Sequence, residues 1–459
     1  MTTTTLCILG ASGDLTSRLL LPGLGSLLAR DTERSVRIIG SDARPVDEQA
    51  WRDTVTKAFT DAGVTKESPA YQEAARATWV TTDVTNADAV KALLAGLGSD
   101  PLVLYFALPP AISMKAVDVL KQVGVPQGTQ LALEKPFGGN AEGATALNAT
   151  LLSMVPETSI HRVDHFLGVS TVLNVISLRF ANRLFQPVWN ADNIASIEIV
   201  YDEPLTLEGR AGYYDKAGAM IDMIQSHLLQ VMALVTMEPP ARIGPVELRD
   251  MTTQALRATQ PWGGDPATSS HRAQYTAGTV GDRSVPDYTA EPGVDPDRHT
   301  ETLAQVTLEV HNERWTGVPI TLRSGKSVGN ARKAIILTFR DVRHVPHGLS
   351  GHDTADQLVL HLTPDQLELH LTTNTADDSL GLQQSTLTAD LHQSVLKPYA
   401  EVLAGILDGD PTLTVRGDAA EECWRIVSGY QKVWADGSVP MESYAAGSDG
   451  PAGWEPPHA

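Results

Sequence analysis

Inside the apolar segment Gly218-Ala219-Met220-Ile221-Asp222-Met223-Ile224-Gln225-Ser226-His227-Leu228-Leu229-Gln230, a carboxylate and an imidazole lie five positions apart. Imidazole titrates closest to neutral pH among the common side chains, so a poised histidine is the usual proton acceptor when a hydroxyl is oxidised. A second acid and imidazole adjoin in Arg162-Val163-Asp164-His165-Phe166-Leu167-Gly168. On a regular α-helix positions 222 and 227 are not neighbours on one face at i, i+4, so a contact between them is not assumed. Asp164 is the better partner for His227, as a carboxylate fixing the tautomer of a base. A lone buried histidine is also a common structural residue, and spacing alone does not separate the two roles.

Three other stretches carry chemistry. Gly10-Ala11-Ser12-Gly13-Asp14-Leu15-Thr16 follows an apolar strand and opens a helix, a setting in which glycines let a pyrophosphate approach backbone N–H groups. The spacing is GxxG, a variant of the dinucleotide fingerprint, and the same turn would serve as a plain strand-to-helix connection. After the second strand, Gly40-Ser41-Asp42-Ala43-Arg44-Pro45 places both an acid and an arginine where the adenosine ribose is met. The acid suits the free hydroxyls of NAD and the arginine suits the 2′-phosphate of NADP, so both cofactors stay open. Asp42 comes later than the usual offset of about 20 residues, and a solvated turn accounts for either side chain. Tyr105-Phe106-Ala107-Leu108-Pro109-Pro110 and Glu134-Lys135-Pro136-Phe137-Gly138 each follow a strand, at the sheet edge where ligands bind. Pro136 holds Lys135 extended, which directs the ammonium to the nicotinamide end; the alternative is an exposed loop lysine.

The elements that must position these residues fall into two kinds. Strands at 6–9, 36–39, 102–106 and 130–133 alternate with helical patterns from 15, over 46–62 and over 89–97, which predicts a doubly wound α/β domain on a parallel sheet. From about 194 the pattern changes to period-two stretches at 195–201, 303–310, 334–339, 357–362 and 367–372. These predict an α+β domain with a large, mainly antiparallel sheet, covered by helices at 218–237, 391–407 and 419–435. Residues 261–298, rich in Gly, Pro, Asp and Thr, read as an ordered excursion over the surface. The expected division is 1–175 for the dinucleotide-binding domain and 176–459 for the substrate and dimerisation domain.

Composition narrows the function classes. A chain of 459 residues exceeds one ordinary core and implies two. The 55 acidic against 35 basic residues give a net charge of -20, which argues against nucleic acid as a partner. An anionic small molecule would need local help from Lys, Arg, His or helix N-termini. No uninterrupted run of about 18 apolar residues is present and the Thr-rich start lacks a secretion signal, so no membrane partner and a cytoplasmic location are expected. Cys7 and Cys423 form neither a metal cluster nor a disulfide framework and read as core thiols.

Taken in order, these motifs resemble those of the glucose-6-phosphate dehydrogenase family. The likeness runs from GASGDL through the ALPP segment, EKPFG, RVDHFLG, LRFAN with QPVWN, EGRAGYYD, QSHLLQ, Thr236-Met237-Glu238-Pro239-Pro240, QYTAG, TET and LRSGK to Ala446-Gly447-Ser448-Asp449-Gly450-Pro451. It implies an NAD- or NADP-dependent enzyme oxidising C1 of a hexose to the 1,5-lactone, with His227 as base and Asp164 orienting it. Lys135, Glu203 and Asp222 match the family's sugar-hydroxyl positions, and no metal is required. A homodimer or tetramer is implied, with the dimer joined through the large sheet.

The sequence departs from the family at the other end of the sugar. Where the family has DHYLGKE, this chain reads Asp164-His165-Phe166-Leu167-Gly168-Val169-Ser170, which keeps His165 but loses a phenol and an ammonium. Each lost charge-assisted contact is worth roughly 1.5–3 kcal/mol. Lys326 and Arg332, in and after LRSGK, remain as phosphate ligands. Glucose 6-phosphate is the substrate implied by the resemblance. An unphosphorylated or otherwise 6-substituted hexose is the alternative, and a catalytically silent nucleotide- or sugar-phosphate-binding regulator a third reading.

Overall fold

The computed structural model describes residues 3–351, 354–392, 394 and 396–455. Two units divide the chain, each assembled from separate segments. The first joins Met1–Val169, Pro240–Thr253 and Ser394–Trp424, and the second joins Ser170–Pro239, Gln254–Gln393 and Arg425–Ala459.

The first unit is built on six parallel strands: β1 (Thr4–Leu9), β2 (Val36–Asp42), β3 (Thr78–Thr81), β4 (Leu102–Phe106), β5 (Gln130–Glu134) and β6 (Ile160–Val163). Their order is β3-β2-β1-β4-β5-β6, the doubly wound arrangement expected. The strand order reverses between β1 and β4, so the crevice beyond their carboxyl ends is where a ligand binds. β6 carries His161 and Arg162, polar residues that hide it from an apolar pattern. Both are buried, and Arg162 is bonded to Asn148 Oδ1 at 3.0 Å and to Glu157 Oε1 at 2.9 Å.

The helical pattern over 391–407 is corrected in extent and in place. Helix begins only at Pro398, whose fixed φ suits a first turn, and runs to Asp408; residues 393 and 395 lie outside the described residues. This helix belongs to the first unit and not to the unit that holds the large sheet. Its Tyr399, Ala400, Val402, Leu403 and Ile406 join Leu20, Leu21, Leu24 and Leu27 in the core of the first unit. Cys7 and Cys423 are buried and unbridged, and burial pushes the Cys7 thiol up to about 12.

The second unit contains β7 (Ile194–Asp202), β8 (Thr259–Pro261), β9 (Ser270–Thr276), β10 (Gly278–Val280), β11 (Arg283–Val285), β12 (Leu303–Val310), β13 (Ile320–Gly325), β14 (Lys333–Phe339), β15 (Ser350–Gly351), β16 (Gln357–Leu362), β17 (Asp365–Asn374), β18 (Gly381–Asp390) and β19 (Met441–Ala445). The large sheet runs β15-β18-β17-β16-β14-β7-β13-β12-β9-β19, with β8 beside β12. Most neighbours are antiparallel, but β7 and β13 are parallel, with Tyr201 opposite Ser324 and Asp202 opposite Gly325.

The stretch 261–298 is more than a surface excursion. It supplies β9 to the sheet, and its Ala273, Tyr275, Val285 and Tyr288 sit in a core cluster with Leu303 and Tyr444. The mixed polarity of Ser270–Thr276 conceals the strand, since the burial of Ala273 and Tyr275 comes from partners distant in sequence.

A helical run extends from Ala211 to Thr236. It starts seven residues before Gly218, and by length and composition it could cross a membrane, although 94% of its most apolar window is buried inside the protein. Asp215, Lys216 and Asp222 interrupt it, so a search for uninterrupted apolar residues passes over it.

Candidate active site

The glycine turn owes its shape to backbone conformation. Gly10 has φ +82°, and a Cβ there would collide with the Ala107 carbonyl oxygen at the end of β4. Only glycine lets the β1 turn approach β4 this closely. Gly13 N–H closes the turn on the Gly10 carbonyl at 3.0 Å. The chain then enters a π-helical turn, Thr16–Leu20, in which Leu21 N–H bonds the Thr16 carbonyl.

Gly10, Ser12, Gly13, Asp42, Arg44 and Pro109 all line one cavity of about 400 Å³, together with Thr82, Asp83, Val84 and Thr85. The sheet-edge position, the glycine approach and the cavity fit a dinucleotide, which Gly10 and Gly13 would meet at the pyrophosphate and Asp42 with Arg44 at the ribose. Asp42 is the last residue of β2, so the long offset from Gly10 reflects a longer connection and not a different place in the fold. Ser12 Oγ donates to Asp42 Oδ2 at 2.6 Å, and Arg44 Nη2 donates to Ser12 Oγ at 2.8 Å. Asp14 and Leu15 do not line this cavity. Asp14 pairs with exposed Arg18 at 3.0 Å, and Leu15 packs on the core.

At the next strand ends, Lys135 and Pro136 follow β5 through a cis peptide bond. The carboxyl before them, Glu134, accepts hydrogen bonds from Tyr105 and, at 3.3 Å, from Tyr399. Burial pushes it up to about 7, against the pull of the two phenols. After β6, Asp164 is fully buried and its Oδ1 accepts the Phe166 N–H at 3.0 Å, which caps the short turn His165–Gly168. The His165 ring stacks on Tyr399, centroids 5.4 Å apart, and meets Phe166 edge-on at 5.3 Å. Sequence reasoning missed Glu134 and Tyr399; adjacency to Lys135 was the only signal for Glu134.

In the second unit the imidazole segment is not a regular α-helix. Gly218, at φ +63° and ψ 178°, ends the helix Ala211–Ala219, and Met220–Leu228 continues as a π-helix. Glu301 occupies the room a Gly218 Cβ would need and caps the new segment, its Oε1 accepting the Met220 N–H at 2.9 Å. Burial pushes the Glu301 carboxyl up to about 7.

The wider coil changes which residues share a face. An α-helix turns positions five apart by roughly 140°, whereas i→i+5 closure stacks them. Asp222 and His227 therefore lie on one side of the segment, contrary to the α-helical expectation. Both are buried, at 8% and 2% exposure, and Tyr213 from the EGRAGYYD stretch hydrogen-bonds Asp222.

The parallel register of β7 and β13 explains the remaining charges. Each strand ends one residue before a charged side chain, and Glu203 N–H bonds the Gly325 carbonyl at 2.8 Å. This brings Glu203 and Lys326 into an ion pair, with the ammonium 5.4 Å from the Tyr214 ring centre. Arg323 beneath them pairs with buried Asp202 at 3.1 Å. Arg332 is half exposed and turns toward Glu198 at 3.8 Å.

Comparison with known proteins accounts for both halves. Residues 7–174 match the family described as glucose-6-phosphate dehydrogenase, NAD binding domain, and residues 176–456 match glucose-6-phosphate dehydrogenase, C-terminal domain. The chain is 36% identical to glucose-6-phosphate 1-dehydrogenase of Gluconobacter oxydans strain 621H, over 97% of this chain and 94% of that protein. The crystal structure of glucose-6-phosphate 1-dehydrogenase from Mycobacterium avium superposes with a TM-score of 0.84 at 32% identity, covering 98% of this chain and 95% of that one. A glucose-6-phosphate dehydrogenase solved with its substrate glucose 6-phosphate gives 0.86 at 27% identity, covering 98% and 96%. With both domains matched in order along one chain, this protein belongs to the glucose-6-phosphate dehydrogenase family.

Proposed function

We propose that the protein oxidises C1 of glucose 6-phosphate to the 1,5-lactone, with residues 1–175 binding NAD or NADP and residues 176–459 serving the sugar and a homodimer contact. The observation that carries this reading is the buried pair Asp222 and His227 on one side of the π-helix, in a chain whose halves match the two halves of that family. The nicotinamide supplies the hydride acceptor. His227 takes the proton of the C1 hydroxyl, and Asp164 orients the imidazole and stabilises its charged form. Lys135, Glu203 and Asp222 hold sugar hydroxyls, while His165, Lys326 and Arg332 hold the 6-phosphate. Exposed side chains along β18, Leu387 among them, support the dimer contact through the large sheet. Light scattering on the purified protein tests it, and a monomer at working concentration refutes it.

A second reading rests on Phe166, 5% exposed, standing where the family carries a tyrosine, and on Val169 in place of a lysine. Those groups leave His165 between two aromatic rings and favour a hexose without a 6-phosphate. The decisive experiment compares kcat/KM for glucose 6-phosphate and glucose with both nucleotides. An advantage for the phosphorylated sugar of roughly a hundredfold or more supports the first reading, and equal values support the second. No reduction of either nucleotide across a hexose panel would leave the regulatory role. Phe166→Tyr with Val169→Lys should raise selectivity for the 6-phosphate by about tenfold or more; an unchanged ratio means the phosphate is gripped elsewhere.

A further inference from the structure

The nucleotide cavity holds an arrangement of charge that bears on which dinucleotide it takes. Asp42, at the carboxyl end of β2, stands where an acid meets the adenosine ribose. Its two oxygens are already oriented, Oδ2 by the Ser12 hydroxyl at 2.6 Å and Oδ1 by the Arg44 N–H at 3.2 Å. A carboxylate oxygen has two acceptor directions, so each keeps one for a ligand hydroxyl.

Arg44 is the group that would answer a 2′-phosphate, and one of its N–H donors is engaged within the protein. A serine hydroxyl has one proton, and Ser12 gives it to Asp42, so the guanidinium donates at 2.8 Å to the serine lone pair. The chain Arg44–Ser12–Asp42 occupies one N–H of the guanidinium. A second acid, Asp83, lines the same cavity after β3, and Thr85 holds its carboxylate by N–H at 2.9 Å and by hydroxyl at 2.7 Å. Those bonds hold Asp83 below the usual carboxylate range, so it stays ionised. Two carboxylates and one guanidinium therefore line this cavity. A phosphate monoester brings nearly two more negative charges, whereas a free ribose diol brings two donors.

We propose that this site is selective for NAD⁺ over NADP⁺, with Asp42 as the determinant: its carboxylate accepts the ribose hydroxyls and repels a 2′-phosphate, while Arg44 is tied to Ser12. The inference rests on the dehydrogenase reading and names the cofactor that reading leaves open. Its consequence is that reducing equivalents leave this enzyme as NADH.

Calorimetric titration of the purified full chain with NAD⁺ and NADP⁺, without sugar, tests it independently of turnover. NAD⁺ should bind at least about tenfold more tightly, the scale of one like-charge contact near a protein surface. Asp42→Asn keeps the shape and the Ser12 contact and should cut that ratio by about tenfold, mostly through tighter NADP⁺. Ser12→Ala frees the guanidinium and should move the ratio the same way by a smaller factor. Equal or tighter binding of NADP⁺ by the native chain overturns the inference alone, as does a ratio unmoved by both substitutions. If neither nucleotide binds, the dehydrogenase reading falls with it.

Discussion

The nucleotide cavity and the imidazole helix reach their shapes by opposite means. In the first unit the deciding groups are backbone atoms and short side chains at strand ends, open to solvent, with Gly10 set by a positive φ and a carbonyl too near for any side chain. In the second unit they are buried side chains, Asp222 and His227, brought onto one face by a coil wider than an α-helix. A π-helical turn occurs in each, directly after the glycine turn and around the imidazole. Such turns are rare and concentrate at functional sites. The difference teaches that a backbone-built site is written as a motif, while a site built on an unusual helical period leaves only residue types in the sequence.

The comparison breaks most readily at the base. His227→Asn should lower kcat by roughly 10²–10⁴ with KM little changed, because a general base acts mainly in the transition state. Single-turnover rates under saturating sugar decide it, and an unchanged kcat removes His227 from the chemistry.

The next largest effect concerns Glu301, which caps the imidazole helix. Its carboxyl lies near 7 when folded against 4.5 otherwise, so the folded protein keeps a proton that the unfolded chain releases. The stabilisation is whole below about pH 4.5 and is lost as pH rises through 7, by up to about 3 kcal/mol. Denaturant unfolding between pH 5 and 8 should show this slope in the native chain and a flatter one in Glu301→Gln. Parallel slopes would mean that the carboxyl titrates alike in both states.

A smaller effect sharpens the other side of the comparison. Gly10→Ala forces a side chain into a left-handed conformation and against the Ala107 carbonyl. It should cost about 1–3 kcal/mol of stability and weaken nucleotide binding, while leaving sugar binding within a factor of about two. Equal loss of both ligands would show that the two sites do not respond separately.

How much was legible follows from where the information sits. β1, β2, β4 and β5 announce themselves as short apolar runs ending in turns, and the GxxG turn with Asp42, Arg44 and Pro109 gathers around one cavity as the motifs imply. β6 and β9 escape because buried Arg162 is satisfied by side chains outside its strand and by the Val415 carbonyl, and the polar residues of Ser270–Thr276 lie in a strand paired with β12. The helix expected from 391 starts at Pro398, a boundary that the proline itself marks. A period of 3.6 residues turns Asp222 and His227 to different faces, and no residue pattern in 218–230 states the wider period. Glu134 and Glu301 stayed hidden for a simpler reason: a carboxyl in a sequence looks the same whether its surroundings are water or apolar.

The helix Pro398–Asp408 also bears on how the polypeptide is made. Leu20, Leu21, Leu24 and Leu27 emerge early in translation, but the side chains that cover them, Tyr399 to Ile406, are nearly four hundred residues further along. A ribosome adding about 5–20 residues per second leaves that greasy face waiting for some 20 to 80 seconds. Through this interval the nascent first unit is a client for chaperones, and a gene fragment ending at residue 175 would yield a sticky, incompletely folded product.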